Sequence, residues 1–324
     1  MRANIWAEFE TIRIKHPRLE AAHAAFSDVR ALKRAHPNAP QRFISIFAPS
    51  HSGKSMSVKT YIEKYVVDEA ISRGLFKKTA DRQEIARLQH LVTHVTLSAN
   101  ATPKSLASDI LRAYGDVWAA HGTTTTLLAR SYDLMHAAGT ELLVIDEIQH
   151  LSAARGRAAN RSQDHGTSVT DTLKAMMIRG LVPMVFIGVE EARHHLFNDP
   201  QLVNRCLMQL DFGCLDYTNA AERKIFEDYC GRLGIKLKEH GLFRRAADLI
   251  RDDIPGCLHV VSRGRIGVVS RVVEQATVVA AQEEAATLLR HHLARAVDEW
   301  AIPQGIVDYN PFTSGLRTVQ RRRA

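Results

Sequence analysis

The chain has 324 residues, 45% hydrophobic and 24% charged, with a formal net charge of +8. That balance is ordinary for a globular protein and long enough for one large or two medium domains. No apolar run approaches the roughly 20 residues that span a bilayer, and no secretory signal opens the sequence, so no membrane association and a cytoplasmic setting are expected. The four cysteines, Cys206, Cys214, Cys230 and Cys257, show no C-x-x-C pair or His-rich spacing, which argues against a metal site and for reduced thiols. The basic excess suits an anionic partner such as nucleic acid, and a mildly basic soluble protein equally well.

Residues 1–40 read as a helical arm broken at His16-Pro17 and again at His36-Pro37-Asn38-Ala39-Pro40, because proline disfavours helix in the residue before it. Its Lys15, Arg18, Arg30, Lys33 and Arg34 suit contact with a neighbour or DNA, or a solvated face. Phe43-Ile44-Ser45-Ile46-Phe47 then reads as a buried strand, followed by Ala48-Pro49-Ser50-His51-Ser52-Gly53-Lys54-Ser55 and a helical pattern through Val58, Tyr61, Ile62 and Tyr65. Strand, tight turn and helix in this order form a phosphate-binding P-loop. Backbone N–H groups from Ser50 to Met56 would cradle the phosphates at a helix N-terminus. Lys54 would meet the β- and γ-phosphates of ATP, and Ser55 would give a hydroxyl to Mg²⁺. The loop departs from the pattern at two positions, with Ala48 in place of the first glycine and His51 where glycine is common.

A polar connection (Lys77, Lys78, Asp81, Arg82, Glu84) leads to a strand over His90–Leu97. Thr102 and Pro103 open a helix through Leu111, and Gly122 and Thr123 open the next. Leu142-Leu143-Val144-Ile145-Asp146-Glu147 is a further buried run closed by two carboxylates. In an α/β sheet the ligand crevice lies at the carboxyl ends of the strands. Asp146 is therefore expected to hold Mg²⁺ and Glu147 to act as general base on the attacking water. Alternating strands and helices predict an α/β fold with a parallel sheet flanked by helices over residues 41–215.

Ser152–Ser168, with Arg155, Arg157 and Arg161, reads as a surface loop. A helix around Asp171–Ile178, a strand over Pro183–Gly188 and a last strand over Leu207–Phe212 follow. Beyond Asp216 the pattern becomes helical, at Ala220–Leu233, Gly241–Asp252, Gly267–Gln282 and Ala285–Trp300, which predicts a small all-helical lid over residues 216–301. A basic tail over residues 302–324 ends in Arg321-Arg322-Arg323.

In this order the elements resemble the AAA+ ATPases of transposition, the TniB/TnsC-type regulators. The carriers are the divergent P-loop ending Gly53-Lys54-Ser55, the box Leu142–Leu151 and the stretch Val182-Pro183-Met184-Val185-Phe186-Ile187-Gly188-Val189-Glu190-Glu191-Ala192. The first two are shared by all AAA+ proteins; the third and the helical lid narrow the choice. The resemblance implies an ATP- and Mg²⁺-dependent oligomer, a ring or helical filament with a hexameric or heptameric turn around duplex DNA. It also implies that this platform links a TniQ-like target selector to a DDE transposase. Lys104 and Thr123 fall where the family contacts the DNA backbone, although a solvated lysine and a helix N-cap explain the same residues. Arg205 falls where the family carries an arginine finger for the neighbouring subunit, and an intrasubunit ion pair is the alternative. Of Arg263 and Arg265, one would be the lid arginine that meets nucleotide in the same subunit; Arg265 is the candidate taken forward. Val189 stands where the family commonly has threonine, so hydrolysis is expected to be slow and to time release from DNA. A helicase-loader or initiator ATPase, or a nucleotide-locked adaptor without turnover, are the competing readings.

Overall fold

The computed structural model describes residues 1–155 and 165–317, with side chains for 1–151 and 169–317. The expected loop arginines Arg155, Arg157 and Arg161 and the tail arginines Arg321 to Arg323 lie outside those described side chains. The helices, in chain order, begin with α1 (Arg2–Phe9) and α2 (Pro17–Ala35). Then come β1 (Phe43–Phe47), α3 (Lys54–Tyr61), a π-helical turn Ile62–Val66, α4 (Val67–Ser72), α5 (Arg82–Leu88) and β2 (Val92–Thr96). They are followed by α6 (Pro103–Ala113), α7 (Thr124–Ala137), β3 (Leu142–Asp146), a 3-10 stretch Ile148–Arg155 and α8 (His165–Ile178). Next are β4 (Met184–Gly188), a 3-10 turn Glu190–Arg193, α9 (His194–Phe197), α10 (Pro200–Val203) and β5 (Cys206–Gln209). The chain closes with α11 (Ala220–Glu239), α12 (Ile254–Ser262), α13 (Ile266–Gln282), α14 (Arg290–Ala296), a π turn Val297–Ala301 and α15 (Pro311–Ser314).

Two compact units are present, one of residues 18–48 and 54–212, the other of residues 1–17, 49–53 and from Gly213 onward. The first is an α/β unit whose strands pair in parallel in the order β2-β3-β4-β1-β5. Its central strands β1, β3 and β4 are almost fully buried, as strands covered on both faces must be, whereas the edge strand β5 is mostly exposed. Ile44, Ile46, Val144, Val185 and Ile187 pack against Phe26, Val58, Tyr61 and Val66 on one face. Phe43, Leu143, Ile145, Met184 and Phe186 pack against Leu106, Ile110, Leu173 and Met176 on the other. This is the parallel sheet flanked by helices that the alternation of elements predicts.

The expected single N-terminal arm divides. Helix α2 belongs to the α/β unit, where buried Arg30 donates to Glu69 at 2.5 Å, to Glu141 at 2.7 Å and to the Tyr61 hydroxyl at 3.0 Å. Helix α1 belongs to the helical unit, where Glu8 meets His240 at 3.0 Å. The polar connection contains a helix, α5, because Asp81 accepts the Glu84 N–H at 2.9 Å as N-cap and Ile85 buries one face. The last strand is shorter than expected and one residue earlier, at Cys206–Gln209.

The second unit is all-helical among its described residues and has its own core, including Phe226, Leu233, Leu258, Val269, Val273 and Leu293. The helix expected over Gly241–Asp252 is absent. Its backbone pairs outward instead, with the Ala247 N–H on Gly234 O at 3.1 Å and the Arg245 N–H on Ala286 O at 3.1 Å. The same pairing, with Thr287 Oγ1 on Ala246 O at 3.1 Å, keeps 285–289 out of the helix, so α14 begins at Arg290 rather than Ala285. Pro255 marks the true start of α12, since proline is preorganised for the first helical turn. Part of the expected basic tail belongs to this core too, with Val307 and Phe312 buried in it; residues 318–324 lie outside the described residues.

Candidate nucleotide site

At the carboxyl end of β3 the backbone of Asp146 is buried in the sheet, opposite Thr96 of β2. One carboxylate oxygen, Oδ2, accepts the Ser55 hydroxyl at 2.7 Å and lies 3.1 Å from His94 Nε2; Oδ1 accepts the Glu147 N–H at 2.8 Å. Burial raises the pKa of Asp146, but the hydrogen bonds from His94, Ser55 and the backbone outweigh it and leave the carboxyl below its ordinary value. Lys54 begins α3 and donates to Ala48 O at 2.6 Å. Its burial lowers its pKa, while Asp146 and Glu147 pull the other way. The structure thus brings Lys54, Ser55, Asp146 and Glu147 together.

The turn before Lys54 has two left-handed residues, His51 at φ 63° and Gly53 at φ 92°. Histidine is among the few non-glycine residues enriched in that region, which is how the loop closes with His51 in a glycine's usual place. A Cβ on Gly53 would lie 3.5 Å from Ile266 Cδ1, and His51 O accepts the Gly267 N–H at 2.9 Å. Arg265, the N-cap residue of α13, adjoins those two contacts in the chain; its Nε donates to Ser262 O at 3.0 Å. Arg263 ends α12 at φ 52°. Ser52 is buried, and its hydroxyl has no hydrogen-bond partner among the described residues. Ser50 and His51 are exposed, and Met56 is 38% exposed on the first turn of α3.

Glu147 sits in the left-handed region at φ 59°, a conformation that costs energy for a residue with a side chain. Its Oε2 accepts a hydrogen bond from Gln149 Nε2. Sequence reading passed over both Gln149 and His94. The signals were available: a polar residue two places after the acidic pair, and a histidine within an otherwise β-branched strand.

Arg205 stands apart from this group. It precedes β5, and its Nη1 reaches Gln41 O at 3.5 Å. Strand register pairs Cys206 with Phe43, at the amino end of β1, whereas the phosphate loop leaves the carboxyl end. Lys104 is exposed on the first turn of α6, whose N-cap Thr102 forms a capping box with Ser105. Thr123 is the exposed N-cap of α7, accepting the Thr126 N–H at 3.2 Å.

The residues present suit a magnesium nucleotide. Ser55 and Asp146 offer hard oxygen donors. Residues 38–196 match the AAA domain family. No curated protein sequence matches the chain. Several solved structures share the fold. The Aeropyrum pernix ORC2 protein (ADPNP–ADP complexes) is 13% identical with TM-score 0.58, over 86% of this chain and 66% of that one. The Aeropyrum pernix ORC1 protein in complex with DNA is 18% identical with TM-score 0.56, over 88% and 66%. Cdc6p from Pyrobaculum aerophilum is 12% identical with TM-score 0.55, over 89% and 68%. This chain therefore spans about two thirds of the length of those proteins. The AAA domain match at residues 38–196 and the likeness to these solved structures agree on the fold of the α/β unit.

Proposed function

We propose that the chain is an ATPase that assembles on duplex DNA when ATP is bound and leaves it after hydrolysis. The observation that carries this reading is the 2.7 Å hydrogen bond between the phosphate-loop hydroxyl of Ser55 and Asp146, with Glu147 next in the chain. The loop amides from Ser50 to Met56 and Lys54 bind and neutralise the phosphates. Ser55 and Asp146 would hold Mg²⁺, which when bound neutralises phosphate charge. Glu147 orients the attacking water and takes its proton. Arg265 meets the nucleotide from the lid of the same chain. Arg205, at the far edge of its own sheet, serves the site of a neighbouring copy, which makes hydrolysis depend on assembly.

Lys104 and Thr123, both at helix N-termini, contact DNA phosphates without reading bases. In its finer form the reading is a transposition regulator of the TniB/TnsC type, a ring or filament linking a TniQ-like selector to a transposase. The boxes at Leu142–Leu151 and Val182–Ala192 support it. An initiator or helicase-loader ATPase is the second reading, favoured by the ORC1, ORC2 and Cdc6p folds.

The test is negative-stain imaging of the chain with duplex DNA, in a non-hydrolysable ATP analogue and in ADP. Rings or filaments with the analogue alone are expected, and monomers in both states would overturn the switch. Mixing tests the trans arginine. Glu147→Gln and Arg205→Ala are each expected to be inactive, and a mixture should recover hydrolysis, because the first supplies the arginine to the second. A mixture without activity returns Arg205 to a role within its own chain. Retention of a transposase, rather than a replicative helicase, on the DNA-bound assembly separates the two readings.

A further inference from the structure

The carboxyl ends of β3 and β4 are tied together by one side chain, and it belongs to no residue assigned above. Gln149 Oε1 accepts the Val189 N–H at 3.3 Å, and Gln149 Nε2 donates to Glu147 Oε2. The orientation of the amide follows from its partners. A backbone N–H can only donate and an ionised carboxylate can only accept, so the oxygen must face Val189 and the nitrogen Glu147. The link is held from outside as well. Gly188 has no Cβ, and one added there would overlap Ile148 Cγ2 and lie 3.2 Å from Gln149 Oε1. The 3-10 stretch after Glu147 is therefore pressed against the end of β4, and Glu147 takes its left-handed backbone on the way into it.

We propose that Gln149 is a positioning residue for Glu147. It fixes one carboxylate oxygen and so presents the other, Oε1, to the attacking water. Val189 has no polar side chain to help, and Gln149 uses the backbone N–H of that position as its anchor. A carboxylate free to rotate would lose much of its alignment with the water, and alignment is what a general base needs beyond its pKa. The inference rests on the proposed role of Glu147 in hydrolysis.

The experiment measures DNA-stimulated ATP hydrolysis by the full chain, with kcat and KM separated, alongside affinity for a fluorescent ATP analogue and thermal midpoint. Gln149→Leu, similar in size but without either hydrogen bond, is expected to lower kcat about ten-fold or more, with KM and analogue affinity unchanged within about two-fold. Gln149→Glu keeps the acceptor for Val189 but sets a second carboxylate against Glu147, and should lose kcat while retaining the thermal midpoint. Unchanged kcat in both variants would overturn the proposal. So would a fall in kcat that tracks the thermal midpoint, since that is what a purely structural residue gives. Wild-type hydrolysis unaffected by Glu147→Gln would instead remove the assigned base, and the inference about Gln149 with it.

Discussion

At the carboxyl end of β3, Asp146 takes hydrogen bonds from Ser55, from the Glu147 backbone and at His94, while Gln149 holds Glu147. At the amino ends of α6 and α7, Lys104 and Thr123 face solvent, and the contacts around them are helix caps. Both regions lie in the α/β unit and both carry residues proposed to meet phosphate. In the first, hydrogen bonds fix both Asp146 oxygens and one oxygen of Glu147. The second supplies an exposed lysine and an exposed threonine without such fixed direction, which would suit a phosphate backbone gripped at any sequence. Substitutions should therefore have large effects on chemistry at the first region and graded ones on affinity at the second.

The largest expected effect sharpens the first half of that contrast. Glu147→Gln removes the proposed base while keeping its size and its contact partner Gln149. Hydrolysis should fall by about 10²- to 10⁴-fold with ATP binding retained, measured as phosphate release against binding of a fluorescent analogue. Loss of binding to the same degree would mean that Glu147 shapes the pocket rather than the reaction. Gly188→Ala probes the packing behind it. The new methyl overlaps Ile148 and crowds Gln149, so stability should drop by about 1–3 kcal/mol in denaturant unfolding, and kcat should drop with it. Full stability and activity in this variant would show that the end of β4 has slack, and would weaken the idea of a fixed carboxylate.

Much of the first region was legible in the residues, because its signal is local and periodic. Phe43–Phe47 and Leu142–Asp146 form the strands expected of them, and the loop after the first enters a helix at Lys54. What escaped was contact between parts distant in sequence. His94 reaches Asp146 across two paired strands, and Gln149 reaches Val189 from 40 positions away, distances that no periodicity reports. The helical unit shows the same limit. Gly241–Asp252 has a helical composition, yet its backbone bonds to Gly234 and Ala286, so tertiary partners override local preference. The split of the N-terminal arm was hidden for a related reason. Arg30 reads as a solvent or DNA-facing charge until Glu69 and Glu141 are seen around it.

The second region is tested by smaller changes. Thr123→Ala removes the side-chain cap of α7 and should cost about 1 kcal/mol of stability, with Thr123→Ser restoring it. If DNA affinity falls in the alanine variant and returns with serine in step with stability, Thr123 acts through the helix end. If serine restores stability but not affinity, the threonine itself touches DNA.

Lys104→Ala is the gentlest change and the most diagnostic of the contrast. Lys104 is exposed, and its removal should leave folding and the ATP site untouched. Each phosphate contact releases condensed counterions, so the slope of log K against log salt should become shallower by about 0.9. The loss of affinity should also be the same on unrelated duplex sequences, because a lysine on phosphate carries no base information. A slope unchanged by Lys104→Ala would place this lysine in solvent, and the DNA path would have to be sought on another face of the unit. A loss that varied with sequence would break the comparison from the other side, since it would require a reading of bases or of DNA shape that a single exposed lysine cannot supply.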